Sequence, residues 1–387
     1  MTVTAPTLAK PIRRLAQIAI ATLAVITTLA FAQTPAPPTI AAKSHVLIDF
    51  DSGQTLAEGN ADTTVEPASL TKLMTAYVAF GELKAGHIKL TDTALVSQKA
   101  WRTPGSRTFV EVGKQIPIET LMLGMIVQSG NDATIAIAER IAGSEEVFAN
   151  MMNKAAEALG MTKTHFMNST GLPDAKHYTS ARDLAKLTRS IIHEFPEYYR
   201  WYSVKEFTYN GITQPNRNLL LTRDKSVDGV KTGHTETAGY CLIASALRNN
   251  MRLVSVVIGT KSENARAQES QNLLNFGFGF FETHRLYGAQ EALTKSQVYK
   301  GDIDELSLGL QEPLFVTIPR GEYSNLKAKV NVTPKILAPI TQGQQLGNVA
   351  ISLHDVAITE RPLTALNAVA EGGIVHRFAD GVRLFFK

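Results

Sequence analysis

Apolar residues recur at helical spacing through much of the chain between residues 69 and 281. These runs predict helices over residues 70–83, 118–127, 133–141, 145–159 and 262–281. The string Ser180-Ala181-Arg182-Asp183 is typical of a capping box and predicts another helix, which would run to residue 194 and stop at Pro196.

Short apolar runs bounded by turn residues predict strands at both ends of this helical region. One covers residues 44–50, and two or three lie within residues 228–260, with a turn at Arg248-Asn249-Asn250. Because helices precede and separate the strands and the late strands are joined by hairpins, the order predicts an α+β fold rather than alternating βαβ units. Residues 284–365 hold short alternating runs between Pro- and Gly-bearing turns, which predict a small all-β second domain.

The N-terminus has the features of a secretory signal. Three basic residues precede an apolar run over residues 15–29, and Ala30-Phe31-Ala32 is a small-x-small cleavage site. We therefore expect a signal peptide over residues 1–32, followed by a proline-bearing tether over residues 33–43. The alternative is a permanent single-span anchor, for which the apolar run is short.

The C-terminus carries a second pattern that suggests contact with a membrane. Apolar residues recur at helical spacing, and basic residues lie between them. The apolar set is Ile374, Phe378, Val382 and Phe385, and the basic set is His376, Arg377, Arg383 and Lys387. The pattern predicts an amphipathic helix within residues 366–387 that lies in the bilayer interface. A helix packed on its own domain is the alternative, and composition does not separate the two.

Neither the net charge nor the cysteine content indicates a further binding or catalytic site. Loss of residues 1–32, which hold three basic residues and no acid, would lower the formal net charge from +4 to +1, so we infer no nucleic-acid partner. The one cysteine, Cys241, excludes an internal disulfide. It lies in an apolar strand and is expected to be a buried filler rather than a nucleophile.

Three polar motifs occur in an order that suits one acyl-transfer site. They are Ser69-Leu70-Thr71-Lys72, Ser129-Gly130-Asn131 and Lys231-Thr232-Gly233. Ser69 is the candidate nucleophile, and Lys72, three residues further on the same helix face, is the candidate base. A lysine is a base at neutral pH only if burial or another cation lowers its pKa, and Lys231 is the candidate for that cation.

The other two motifs supply the remaining groups. Ser129, in a turn between two helices, would relay a proton between Lys72 and the leaving amine. Asn131 would donate to a substrate carbonyl. Lys231, Thr232 and Gly233 would offer a cation and a strand edge along which a peptide can lie.

Longer strings around the motifs narrow the interpretation. They are Glu66-Pro67-Ala68-Ser69-Leu70-Thr71-Lys72-Leu73-Met74-Thr75, Gln128-Ser129-Gly130-Asn131-Asp132-Ala133 and Asp228-Gly229-Val230-Lys231-Thr232-Gly233-His234-Thr235. The chain resembles the low-molecular-mass penicillin-binding proteins that are serine-type D-alanyl-D-alanine carboxypeptidases, from residue 45 to 282 and more loosely to the C-terminus.

The resemblance implies an antiparallel sheet flanked by helices, in a catalytic domain over residues 44–283, and neither a metal nor an organic cofactor. It also implies an oxyanion hole made by the backbone N–H groups of Ser69 and His234, and leaves the imidazole of His234 unassigned. Arg266 would bind the substrate carboxylate. Its surrounding string, Asn264-Ala265-Arg266-Ala267-Gln268-Glu269-Ser270, matches the family in part, with Ala265 where glycine is usual.

The function implied is hydrolysis of the terminal D-alanine of peptidoglycan pentapeptide stems through a Ser69 acyl-enzyme, which β-lactams would also form. The location implied is the periplasmic side of the cytoplasmic membrane, with the C-terminal helix held at the membrane surface. A D,D-endopeptidase and an inactive wall-binding scaffold remain alternatives. A class A β-lactamase is a further one, although residues 132–230 hold no Glu-x-x-Leu-Asn string. The sequence leaves substrate length, oligomeric state and the role of the β domain open.

Overall fold

The computed structural model describes residues 35–385, so the expected signal peptide over residues 1–32 lies outside the described residues, as do Phe386 and Lys387. The helices of the described part are α1 (Lys72–Lys84), α2 (Gln98–Arg102), α3 (Ile118–Val127), α4 (Asn131–Ala142), α5 (Glu145–Ala158), α6 (Ala181–Glu194), α7 (Pro196–Tyr199), α8 (Leu220–Arg223), α9 (Glu263–Phe280) and α10 (Ile374–Phe385). Short 3₁₀ turns cover Ala68–Thr71, Arg200–Ser203 and Tyr323–Asn325.

The strands fall into two groups along the chain. Those that precede α9 or lead into it are β1 (Ser44–Asp49), β2 (Thr55–Gly59), β3 (Thr93–Leu95), β4 (Gln115–Pro117), β5 (Glu206–Tyr209), β6 (Ile212–Pro215), β7 (Val227–Thr235), β8 (Gly239–Arg248) and β9 (Met251–Thr260). Those that follow it are β10 (Phe281–Tyr287), β11 (Ala292–Tyr299), β12 (Glu305–Gly309), β13 (Leu314–Pro319), β14 (Leu326–Val332), β15 (Ile336–Leu337), β16 (Gln345–Leu353) and β17 (Val356–Ala365).

The central sheet is antiparallel, in the order β2-β1-β9-β8-β7, and has helices on both faces. Alternate side chains of one strand enter different hydrophobic cores, since Val46 and Ile48 of β1 face one core and Leu47 faces the other. Burial on both faces explains why the inner strands β8 and β9 hold long apolar runs in sequence. The predicted α+β class, with an antiparallel sheet flanked by helices, is confirmed. Strand β7 lies at an edge of this sheet.

The first predicted helix begins later than expected. Residues Ala68–Thr71 form a 3₁₀ turn, and the α-helix starts at Lys72. Ala68 has φ of +47°, a left-handed conformation that a regular α-helix does not contain. Ser69 therefore lies in a tight turn ahead of α1 rather than in its first turn.

The residues after α9 form the predicted all-β domain. Strand β10 pairs with β13, and a six-stranded sheet has the order β14-β16-β17-β12-β11-β15. The terminal helix α10 begins at Ile374 rather than at residue 366. The difference arises because Leu366 and Val369 are buried, and Val369 pairs with Ile340.

The segment expected to be a tether is partly packed. Ile40 is buried in the core beneath α9, and the backbone N–H of Lys43 donates to the carbonyl of Ile258 over 2.9 Å. Residues 40–43 thus pack as part of the α+β domain. Within residues 35–385, no helix has both the length and the apolarity needed to traverse a lipid bilayer.

Candidate active site

The turn that carries Ser69 is held by two close backbone approaches. Gly171 has φ of +84°, and a Cβ there would collide with the carbonyl oxygen of Ala68. On the other side, a Cβ on Gly233 would lie 3.2 Å from the carbonyl oxygen of Pro67. Glycine at both positions lets the loop over residues 168–172 and the edge strand β7 lie directly against the turn.

Lys72 is buried beneath Ser69 and makes three polar contacts. Its Nζ lies 3.1 Å from Ser69 Oγ, 2.7 Å from Asn131 Oδ1 and 2.7 Å from the carbonyl oxygen of Thr170. The two carbonyl-type oxygens accept only, so in the neutral amine both N–H groups are directed to them. The nitrogen lone pair then remains for the hydroxyl of Ser69, as a general base requires.

Burial, and after it the cationic Arg217, lower the pKa of Lys72 to about 7. The carboxylates of Asp132 and Glu145 act in the opposite direction. The motifs predict that Lys231 is the cation that lowers this pKa, whereas the cation that does so in the structure is Arg217, which lines the cleft. Lys231 is itself buried, and burial together with the charge of Lys72 holds its pKa well below the usual value.

Ser129 occupies the turn between α3 and α4 with φ of +63°, as the interhelix motif predicted. Its Oγ is buried and has no hydrogen-bond partner among the described residues. A buried hydroxyl is costly to leave unsatisfied, and such groups concentrate where function requires them. Ser129 lines the same cleft as Ser69.

Asn131 joins Lys72 to the loop over residues 104–110. Its Oδ1 accepts from Lys72, while Nδ2 donates to the carbonyl of Pro104 over 2.6 Å. The second N–H of the amide is the one left for a substrate carbonyl.

The neighbouring Asp132, which the sequence analysis did not single out, fixes the same loop. Its carboxylate accepts from the backbone N–H groups of Thr108, Phe109, Val110 and Ala133 at 2.8–3.2 Å. An aspartate in the first turn of a helix has an ordinary role at the positive end of the helix dipole, so no sequence pattern indicates this clamp.

Strand β7 and helix α9 form the opposite wall. Arg266 of α9 is buried, and its Nη1 donates to the carbonyl of Gly233 over 3.4 Å. Its guanidinium lies 5.6 Å from the centroid of the Tyr240 ring, and that ring packs against His234 with centroids 4.0 Å apart. The site arginine predicted from a partial string is thus in the cleft, and His234 contributes a rim surface.

The cleft has a volume of about 430 Å³, within the usual range for small-ligand sites. The predicted residues that line it are Ser69, Ser129, Asn131, Thr232, Gly233, His234 and Arg266. Lining residues that the sequence analysis missed include Thr170, Gly171, Arg217, Tyr240 and Glu263. They lie in segments that no motif marks, and only folding brings them to the site. Cys241 is buried beside the wall, and burial raises its pKa to about 11, as expected for a filler.

Comparison with known proteins places this geometry in a family. The family model for D-alanyl-D-alanine carboxypeptidase (peptidase S11) matches residues 31–262, and that for the C-terminal domain of penicillin-binding protein 5 matches residues 281–371. The chain belongs to the D-alanyl-D-alanine carboxypeptidase family. The resemblance inferred from the three motifs is confirmed, as is the class of enzyme.

Three similar proteins match between 62% and 93% of this chain. D-alanyl-D-alanine carboxypeptidase DacC of Escherichia coli (strain K12) is 45% identical over 93% of this chain and 92% of its own. The crystal structure of penicillin-binding protein 5 from Haemophilus influenzae is 42% identical, with a TM-score of 0.84 over 87% of this chain and 99% of that one. Penicillin-binding protein D2 from Listeria monocytogenes, solved in the ampicillin-bound form, is 28% identical over 62% of this chain and 98% of its own, with a TM-score of 0.58.

In this carboxypeptidase a buried network supports the loop that contacts Lys72. Glu145 Oε1 accepts from the backbone N–H of Ser169 over 3.1 Å and from its Oγ over 2.7 Å. The carbonyl of Ser169 accepts from Thr75 Oγ1 of α1 over 2.7 Å. The Thr170 carbonyl is therefore held in place from both sides of the loop.

Proposed function

We propose that the protein removes the terminal D-alanine from peptidoglycan pentapeptide stems by a two-step acyl transfer at Ser69. Ser69 Oγ attacks the carbonyl carbon of the penultimate D-alanine while its proton passes to Lys72 Nζ. The C–N bond then breaks, and the proton reaches the leaving amine from Lys72 through Ser129. Water hydrolyses the resulting ester and restores the hydroxyl of Ser69.

One observation carries this proposal. Lys72 Nζ lies 3.1 Å from Ser69 Oγ, and burial lowers its pKa to about 7. A lysine on a solvated helix face would remain protonated at neutral pH and could not accept the serine proton.

The substrate would lie along the exposed edge of β7 as an added antiparallel strand. Its terminal carboxylate would then meet Thr232 and Arg266, whose guanidinium is a planar donor fork suited to a carboxylate. The backbone N–H groups of Ser69 and His234 would stabilise the oxyanion from two sides of the cleft. β-Lactams, which resemble the D-alanyl-D-alanine unit, would acylate Ser69 in the same position.

We also propose that the enzyme works outside the cytoplasm, on the periplasmic face of the cytoplasmic membrane. The basic and apolar pattern of residues 1–32 supports export. The exposed apolar residues Ile374, Phe378 and Val382 on one helix, α10, support attachment at the membrane surface. Asp380 of that helix accepts from the backbone N–H of Lys300 over 2.6 Å, which ties the helix to the β domain.

Release of D-alanine tests the central proposal. We expect the full chain to release D-alanine from an acyl-L-Lys-D-Ala-D-Ala peptide and to lose this activity on Ser69→Ala. Ser203→Ala, an exposed serine outside the cleft, is the matched control and should keep full activity. Trapping of penicillin on Ser69 without release of D-alanine would instead favour an endopeptidase. Neither release nor trapping, in a folded protein, would favour the scaffold.

A further inference from the structure

Arg266, the residue proposed to bind the substrate carboxylate, is held from several directions. Nη1 donates to the carbonyl of Gly233, and Nη2 donates to the carbonyl of Arg217, each over 3.4 Å. The guanidinium also lies over the Tyr240 ring. All these hydrogen bonds are long, so the fork keeps donor capacity for a better acceptor.

A carboxylate of the protein itself already contacts this fork. Glu263, in the first turn of α9, places Oε1 3.4 Å from Arg266 Nη2. Its side chain is 57% exposed. Among the cleft-lining residues in the described part of the chain, Glu263 is the one acid.

We propose that Glu263 is a specificity-determining residue that competes with the substrate for Arg266. In the free enzyme its carboxylate occupies Nη2 and places a negative charge at the rim. A substrate carboxylate must displace the Glu263 carboxylate from Nη2 and overcome the repulsion of its negative charge. Glu263 therefore weakens the binding of carboxylate-terminated ligands. The inference rests on the proposed function, because it takes the D-alanine carboxylate as the ligand of Arg266.

The competing role follows from the other contacts of the guanidinium. Backbone carbonyls and an aromatic ring hold Arg266 without Glu263, so removal of the acid leaves the fork in place. Because Glu263 is exposed, its effect is modest and decreases as salt screens it.

The test compares Glu263→Gln with the wild type on substrates with and without a carboxylate. We expect KM for acyl-L-Lys-D-Ala-D-Ala to fall by about 1.5- to 5-fold at low salt with kcat unchanged, and the difference to shrink at high salt. KM for a thioester with an uncharged leaving group should not change. Glu269→Gln removes the same charge from the same helix outside the cleft and should leave both values unchanged.

A second variant shows whether the effect passes through the arginine. In an Arg266→Ala background the contact with the arginine is gone and only the rim charge remains, so Glu263→Gln should lower KM by a smaller factor than in the wild type. A raised or unchanged KM in Glu263→Gln, or an equal fall for the thioester, would overturn the inference.

Acylation by benzylpenicillin and by its methyl ester separates the two proposals. Glu263→Gln should accelerate the first reaction only. If wild-type enzyme releases D-alanine but Glu263→Gln shows no such selectivity, the competing role alone fails. If the wild type neither releases D-alanine nor reacts with penicillin, the proposed function fails together with it.

Discussion

The amine of Lys72 donates to the main-chain carbonyl of Thr170 over 2.7 Å. Thr170 lies in a loop about a hundred residues further along the chain. This contact, with that to Asn131, uses the two N–H groups of the neutral amine and leaves its lone pair for Ser69. The backbone of a distant loop therefore orients the proposed general base.

The pH dependence of acylation should follow Lys72. Its pKa of about 7 lies below the ordinary value, so the neutral base is present above pH 7 and is lost as the pH falls. Below the pKa of Lys72, the rate of penicillin acylation should fall about tenfold for each unit by which the pH is lowered. Arg217→Gln removes a cation and should move the profile to higher pH, as measured by stopped-flow acylation. Arg223→Gln, which changes an exposed arginine outside the cleft, is the control; a profile that moves equally in both would contradict the assignment.

Asp132→Asn should loosen the loop over residues 104–110. The backbone N–H groups that now donate to the carboxylate would then face the NH2 group of the amide, which is a donor and cannot accept from them. This loss of hydrogen bonds should lower the free energy of unfolding by about 2–4 kcal/mol. Because Asn131 bonds to the same loop, kcat should fall roughly tenfold. Hydrogen exchange at Thr108 and Phe109 would show the loosening directly.

Asp355→Asn provides the matched comparison for that variant. Asp355 is 78% exposed and pairs with Lys327, and solvent screens this surface ion pair, so its substitution should leave stability nearly unchanged. Unaltered exchange and activity in Asp132→Asn would show that the clamp is not required.

His177 should make the protein less stable in acid. Its Nδ1 accepts from the backbone N–H of Met167, so Nε2–H donates to Thr71 Oγ1, and burial lowers the pKa to about 4. The folded pKa lies below the unfolded value of 6.5, so the unfolded state takes up the proton first. Stability should therefore be lost as pH falls from 6.5 to 4, by about 3 kcal/mol in total.

Urea midpoints across this pH range test the histidine. His177→Gln should be less stable than wild type at pH 7 but should show a flatter pH dependence. His193→Gln, at an exposed position on α6, should retain the wild-type slope. An unchanged slope in His177→Gln would contradict the prediction.

Membrane attachment should depend on the exposed stripe of α10. Phe378 is 76% exposed, and its insertion into the interface would contribute about 2 kcal/mol. Phe378→Asp should therefore weaken sedimentation with vesicles of phosphatidylethanolamine and phosphatidylglycerol by roughly tenfold or more. Val356→Asp, an exposed position in the β16–β17 hairpin, should bind as wild type. Equal binding by all three proteins would exclude the helix as the anchor.

A truncation for the same purpose should end after Gly373. Val369 is buried in the β domain and pairs with Ile340, so a chain that stops at Leu366 would lose part of that core.

The sequence by itself determined the α+β class, the family and the three motifs that the fold brings to one cleft. Its helices follow from long amphipathic runs, and Ser69, Lys72, Ser129 and Lys231 stand in strings whose local spacing already limits their geometry. Periodicity and nearest-neighbour spacing are local properties, so they can be read without the fold.

Only the tertiary structure decided how far the pKa of Lys72 is lowered. The pKa of Lys72 depends on its burial, on the cation of Arg217 and on the carbonyl of Thr170, and none of these is encoded within a few residues of the motif. The left-handed Ala68, which delays the start of α1, packs against Gly171 from the same distant loop. Desolvation and electrostatic coupling act through space, so the groups that tune this lysine became visible only when separate segments met around one cleft.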